Sequence, residues 1–431
     1  MSIAYGGIIA FAFRGLNLLA AAGTIFLATH QLAEDDFGLF ALGLIVVGIA
    51  NAATGGLTAA TAYQIANQRK PAGVAFLNGA AIGCGVGAGA IIAALVASVF
   101  GSGDLQLVAL PVGLAATAVI INSATAGAFL GRESLVRYNV ALVAPPLLAL
   151  TAIAVTFVIL GRRTPEDGLA AYAVGQWLAL VLMWASGRAI LFRDLRLERP
   201  VMGTILRFAV LAGLSSGVSF LNYRADSFVL KYFEGKTGVG VYVVAIYFAE
   251  SVWQVSGSLA LATYARMGSL ARAEAVQLAT RVMRHSLVLA ALVCLGLFAI
   301  AGTLESVFFS KQEGMATALR LLLPGVLVYS LAQSYSGFYT YQRGLPWVAA
   351  VVAAVGLAVD MVLAVAFIPV MGVNGAALAS SIAYTVAILG GLAVFFRKEH
   401  ISPLEVFHFG RRDLDDYRSL ALRLRSAVGR G

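Results

Sequence analysis

The residues whose chemistry stands out are charges set inside apolar stretches. Leu214–Leu221 is apolar but for Ser215, Ser216 and Ser219. It runs into Asn222-Tyr223-Arg224-Ala225-Asp226-Ser227, returns to Phe228-Val229-Leu230, and leaves through Gly235-Lys236-Thr237-Gly238. An ionisable group deep in a bilayer costs about 3 kcal/mol on insertion scales, so such a residue is read first as functional. At about 100° per residue, Ser215, Ser219, Asn222 and Asp226 form one stripe, with Arg224 nearly opposite and Lys231 two turns on. Glu250, Asp360 and Arg14 lie within other apolar runs. Carboxylates at depth suit exchange of a proton or cation. An arginine keeps its charge and offers a planar fork to an anionic ligand. We read Asp226, Glu250 and Asp360 as ion-coupling candidates. The plainer reading is a set of ion pairs that only fix helix packing.

Neutral polar residues follow helical spacing beside these charges. Tyr247, Gln254 and Ser258 flank Glu250 at i−3, i+4 and i+8. Gln333, Ser336, Tyr339 and Thr340 cluster with Tyr335 and Tyr341. Such side chains suit sugar hydroxyls by hydrogen bonding and ring stacking. For Tyr339 to Tyr341 an interfacial aromatic belt serves equally well. Asn51, Thr54, Thr58 and Thr61, with Gly55-Gly56 among them, read as close helix packing.

The elements that must position these residues are membrane helices. The 431 residues are 60% hydrophobic and 12% charged, about half the charge of a soluble domain. Mean hydropathy is +0.88. The net charge of +9 is explained by topology, and no nucleic-acid partner is expected. Cys84 and Cys294 sit in apolar runs, and the four histidines are scattered, so no disulfide framework or metal site is expected. There is no P-loop, dinucleotide fingerprint, H-E-x-x-H or G-x-S-x-G. We therefore expect no enzyme activity and no cofactor, with any uphill work coupled to an ion gradient, the membrane potential or another protein. The start lacks a basic leader region, so the first helix is expected to be retained.

Twelve spans of about 20 apolar residues are expected: Gly7–His30, Phe37–Tyr63, Val74–Phe100, Leu105–Leu130, Val136–Leu160, Leu169–Ala189, Ile205–Tyr232, Val239–Tyr264, Ser286–Phe309, Ala316–Tyr341, Leu345–Pro369 and Asn374–Phe396. One set of connections and the C-terminal tail carry 22 Lys and Arg, and the alternate set carries 4. This puts both termini in the cytoplasm. The polar stretch Arg188–Arg207 divides the chain. Residues 1–190 form a first bundle, 191–204 a cytoplasmic linker, 205–397 a second bundle and 398–431 a basic tail that contacts anionic lipid or is solvated. A 202-residue offset places Gly38 on Gly240, Gly55 on Gly257, Thr24 on Asp226 and Asn17 on Ser219. Two parallel six-helix repeats, with a site between them, are the result. The stripe from Ser215 to Asp226 is expected to face a water-filled cleft together with Asn17 and Thr24.

Three stretches carry a family resemblance. They are Phe13-Arg14-Gly15-Leu16-Asn17 with Leu32–Phe40; Arg224-Ala225-Asp226 leading to Gly240-Val241-Tyr242; and Ile368–Ala379, with its Pro-x-x-Gly-x-x-Gly-Ala-Ala pattern. The chain resembles the polysaccharide transporter branch, the Wzx-like O-antigen flippases, of the multidrug/oligosaccharidyl-lipid/polysaccharide exporter superfamily. The likeness runs to about Phe396. It implies an all-α polytopic fold of two six-helix bundles around a V-shaped cavity. It implies transfer of undecaprenyl-pyrophosphate-linked oligosaccharide across a bacterial inner membrane, amid membrane lipids, glycosyltransferases and a polysaccharide polymerase. The substrate-binding candidates are then Arg14, Asn17, Asn222, Arg224, Gln333 and Ser336, with Asp226 the leading coupling site. Lipid II flippases of this superfamily usually carry two more C-terminal helices, whereas a charged tail stands here. A cation-coupled multidrug antiporter of the same fold is the alternative, and a membrane assembly protein is a third. The sign of the lining charge separates the first two.

Overall fold

The computed structural model describes residues 3–101, 103–343, 345, 347–404 and 408, with the backbone only for residues 3–12, 215, 261, 262, 264–266, 268, 269, 340 and 341. The side chains of Ser215, Thr340 and Tyr341, and the tail arginines from Arg411 onward, lie outside the described residues. Every regular element among the described residues is helical. The order is α1 (Ile3–Gln31), α2 (Glu34–Ala66), α3 (Ala72–Phe100), α4 (Asp104–Gly131), α5 (Leu135–Ala154), α6 (Pro165–Leu191), α7 (Arg199–Ser251), α8 (Trp253–Ser269), α9 (Arg272–Thr303), α10 (Met315–Tyr329), α11 (Ala332–Gly337), α12 (Trp347–Met371) and α13 (Val373–Glu399). Short π-helical turns extend α5, α9 and α11.

The 53 residues of α7 would measure about 80 Å if straight, well over twice a bilayer core. They are not straight. Gly235 sits at φ 73°, ψ −163°, a backbone that only glycine adopts freely. Arg224 and Glu250, 26 residues apart, touch at 2.6 Å. The element is therefore an antiparallel hairpin whose limbs, 199–234 and 236–251, lie side by side. The second limb continues through Val252 into α8. Among the described residues ten helices are long and apolar enough to cross a membrane, one of which is this doubled stretch. With α1 added, this agrees with the twelve expected spans, and the chain is a multi-pass membrane protein.

Two expected outlines change. The span Ala316–Tyr341 is broken: Ser330 Oγ bonds back to the Leu327 carbonyl at 2.6 Å, and Leu331 N takes the Val328 carbonyl, a tighter turn that ends α10. The polar stretch Arg188–Arg207 shrinks to residues 192–198, because α6 and α7 extend into it from both sides. Asn78, fully buried, clamps that connection. Its Nδ2 donates to the Arg196 carbonyl (2.9 Å), and its Oδ1 accepts from Glu198 N (3.0 Å). Val201 and Ile205 then pack with Leu57, Phe129 and Leu191, so α7 starts inside the core of the first bundle.

The bundles meet mainly along α2 and α7. Small residues allow this: a Cβ on Gly213 would collide with the Ala53 carbonyl, and one on Gly56 would stand 2.6 Å from the Ala209 carbonyl. Below, the two ends of the molecule are called the Gly235 end and the Glu198 end.

Candidate functional site

Arg224 lies on the first limb of α7 and Glu250 near the end of the second. Their side chains form a fork-on-fork pair, Nη1 to Oε1 at 2.6 Å and Nη2 to Oε2 at 2.7 Å. About a fifth of each side chain stays exposed. Nη1 also donates to the Tyr223 carbonyl. Around the pair stand Tyr223, Trp253, Tyr329 and Tyr384, with ring centroids 4.6–6.2 Å apart. The Tyr223 and Tyr329 hydroxyls share a hydrogen bond. Glu250 is thus not an independent carboxylate in a cavity; it neutralises Arg224.

Asp226, two residues from Arg224, belongs to a separate cluster. It accepts hydrogen bonds from the Tyr242 hydroxyl and, at 2.7 Å, from Ser380 of α13. Ser380 Oγ also contacts Asp360 of α12 at 3.1 Å and the Tyr242 hydroxyl at 2.9 Å. Asp226, Asn222 and Asp360 are 1%, 2% and 0% exposed. The Asn222–Asp226 part of the stripe expected to face a water-filled cleft is therefore walled into the second bundle, while Ser219 is half-buried. The reason is supply of partners: α12, α13 and the second limb of α7 bring hydroxyl and carboxyl groups to that face, and Gly356 leaves room for Asn222 Oδ1. Asp226 pairs within its own bundle, with Tyr242 and Ser380. Thr24, its repeat equivalent, is buried too and bonds the Ala20 carbonyl.

The cluster has a deficit of protons. Ser380 has one hydrogen and touches two carboxylates and a phenol. It can donate to only one carboxylate. The other contact is a hydrogen bond only if a carboxyl group carries the proton. Asp360 Oδ2 and Asn222 Oδ1 are buried acceptors without a hydrogen-bond partner among the described residues. A proton or a small cation shared among these oxygens balances the count.

Arg14 and Asn17 are exposed on α1. Arg14 Nη1 lies 3.9 Å from where a Cβ on Gly257 of α8 would stand, and Tyr247 donates to the Leu18 carbonyl at 2.5 Å. The α1 face with Arg14 thus abuts the second bundle. Arg14 has no carboxylate partner among the described residues. Gln333 is exposed and Ser336 half-buried on α11, whereas Tyr335 and Tyr339 are buried with Phe338 and Phe395. For those two tyrosines the structure shows core packing in place of a belt or a sugar-facing wall. The sequence reading missed Ser380 and the role of Tyr242 as Asp226's partner.

At the Gly235 end the bundles are latched. Lys236 Nζ bonds Asp104 at 3.0 Å, and Thr237 bonds Asp35. Lys311 Nζ reaches the His30 and Leu32 carbonyls at 3.2 and 3.1 Å. A crevice of about 510 Å³ lined by Glu34, Asp35, Thr237 and Lys311 lies over it. Asp35 and Thr237 are 202 positions apart, the repeat offset. A residue and its repeat equivalent can touch only near the axis that relates them. Asp35→Cys combined with Thr237→Cys is expected to form a disulfide on mild oxidation and to stop transport reversibly with reductant. Undiminished transport by the oxidised form would show that this end need not open.

No protein-family model matches the sequence, and no curated protein does. Solved structures share the fold. The lipid II flippase MurJ, in an inward closed conformation, aligns with a TM-score of 0.70 at 14% identity, covering 98% of this chain and 93% of that one. A multidrug resistance MATE family transporter of the MOP superfamily, inward-facing, aligns at 0.65 and 16% identity, covering 93% and 95%. A MOP superfamily transporter from Pyrococcus furiosus, described by the reverse polarity of its binding pocket, aligns at 0.62 and 15%, covering 91% and 94%. The chain has the fold of MOP superfamily transporters.

Proposed function

We propose that this chain is a cation-coupled transporter that moves an anionic, lipid-linked oligosaccharide across the bacterial cytoplasmic membrane by alternating access, with both termini in the cytoplasm. The observation that carries the reading is the separation of charge on one helix: Arg224 held by an exchangeable carboxylate, and two residues on, Asp226 in an enclosed acidic cluster. Arg14 supplies a standing positive charge for a diphosphate. Arg224 becomes available when the cargo phosphate replaces Glu250 in its fork, and Glu250 retakes it on release. This keeps binding reversible, a task a bare arginine in low dielectric performs poorly. Filling the Asp226–Ser380–Asp360 cluster with a proton or cation alters the packing of the same limb, so occupancy at one site biases the other. The Glu198 end faces the cytoplasm because the connections at that end carry the excess of Lys and Arg.

The test is a leaflet-exposure assay in proteoliposomes with fluorescent undecaprenyl-pyrophosphate oligosaccharide, run beside a lipophilic cation. Movement of the lipid-linked sugar alone is expected. The second reading, a multidrug antiporter, is favoured by the MATE likeness and by carboxylates within the membrane; movement of the cation alone would establish it instead.

A further inference from the structure

A second charged feature lies outside the Arg224–Glu250 pair and the Asp226–Ser380–Asp360 cluster. Arg320 stands on α10, five residues from its start at Met315 and so about 7.5 Å below the Gly235 end. Its Nε donates to the Phe298 carbonyl at 3.2 Å, and its guanidinium sits 5.3 Å from the Phe298 ring. Glu305, fifteen residues before Arg320, is used elsewhere: its carboxylate accepts from Ala316 N at 2.6 Å and caps α10, and Glu313, seven residues before Arg320, makes no ion pair with it. Arg320 thus has no carboxylate partner among the described residues. It tops a groove of about 340 Å³ between α10 and α13, walled below by Leu321, Pro324, Ile382, Thr385 and Val386. Both helices run from the Gly235 end towards the Glu198 end, so the groove descends from the arginine into the membrane.

We propose that this groove holds a phospholipid of the leaflet at the Gly235 end, its phosphodiester on Arg320 and one acyl chain along α10 and α13. An arginine at headgroup depth with free fork nitrogens is matched by a phosphate oxygen pair. The apolar wall below matches a hydrocarbon chain. A headgroup without its own cation is preferred, because an ammonium competes with Arg320 for the phosphate.

Photo-crosslinking with phosphatidylglycerol carrying a diazirine in mid-chain tests this on the full protein in nanodiscs. Adducts should concentrate on 321–327 and 382–386, above the level on the lipid-facing residues Val362 and Val365 of α12. Arg320→Gln should lower groove adducts about tenfold, and Arg320→Lys should keep most of them. Val386→Trp, which fills the lower groove from an exposed position, should remove them while melting stays unchanged. Diacylglycerol with the same photoreactive chain should label weakly. Equal labelling by diacylglycerol, equal labelling of Arg320→Gln, or adducts no denser than on α12 would each overturn the site.

Discussion

Arg224→Ala is expected to abolish transport and to destabilise the protein by about 3 kcal/mol, because it leaves Glu250 in the membrane without its counter-charge. Glu250→Gln should destabilise similarly, but by stranding Arg224 it should tighten binding of an anionic cargo while slowing its release. The informative variant is the double one, Arg224→Met with Glu250→Leu. Replacing both members of such a pair by apolar residues is often neutral or stabilising. The double variant should therefore melt like the wild type and still transport nothing. Arg224→Lys should retain a tenth or so of the rate, keeping the charge and losing the two-pronged geometry. Thermal melting and transport are measured on the same preparations. A double variant that both melts and transports normally would leave the pair with a packing role only.

The second large effect concerns the enclosed cluster. Asp226→Asn and Asp360→Asn keep the size of each side chain and remove its charge. Each should cut gradient-driven transport to the level seen without a gradient, while cargo affinity changes by less than about threefold, or 0.7 kcal/mol. Ser380→Ala should give a smaller loss, since it removes one hydrogen bond to a carboxylate, worth about 2 kcal/mol, and leaves both carboxyl groups in place. Cargo binding measured by tryptophan fluorescence separates the two effects. Asp226→Asn lowering affinity as much as rate would place Asp226 in the cargo site.

Much of the architecture was legible from hydropathy and charge, because a membrane helix must be predominantly apolar over about 20 residues and must turn in polar segments. The hairpin pairs were nearly legible too. Folding the chain back at Gly235 sets position 226 opposite Val244 and 224 opposite Ile246, each within about one turn of the real partners Tyr242 and Glu250. What local spacing could not tell was which face of α7 meets α12 and α13. Asp226 could equally have lined a wet cleft, and Ser380, 154 residues away, carries no local signal. The break after Tyr329 also escaped notice, since a serine back-bonding to its own helix looks like any other serine in the sequence. That break helps explain why Tyr335 and Tyr339, read as cavity or belt residues, lie in the core.

The coupling of anionic cargo to a cation gradient is tested most directly by leaflet distribution in sealed proteoliposomes. A tenfold gradient of protons or sodium supplies about 1.4 kcal/mol per ion, enough for about a tenfold imbalance of cargo between leaflets if one ion moves per cargo. Wild-type protein should build that imbalance in the direction set by the gradient and lose it when an ionophore collapses the gradient, whereas Asp360→Asn should reach only an equal distribution. An imbalance that persists in Asp360→Asn, or wild-type protein that equilibrates the lipid regardless of either gradient, would contradict the coupling.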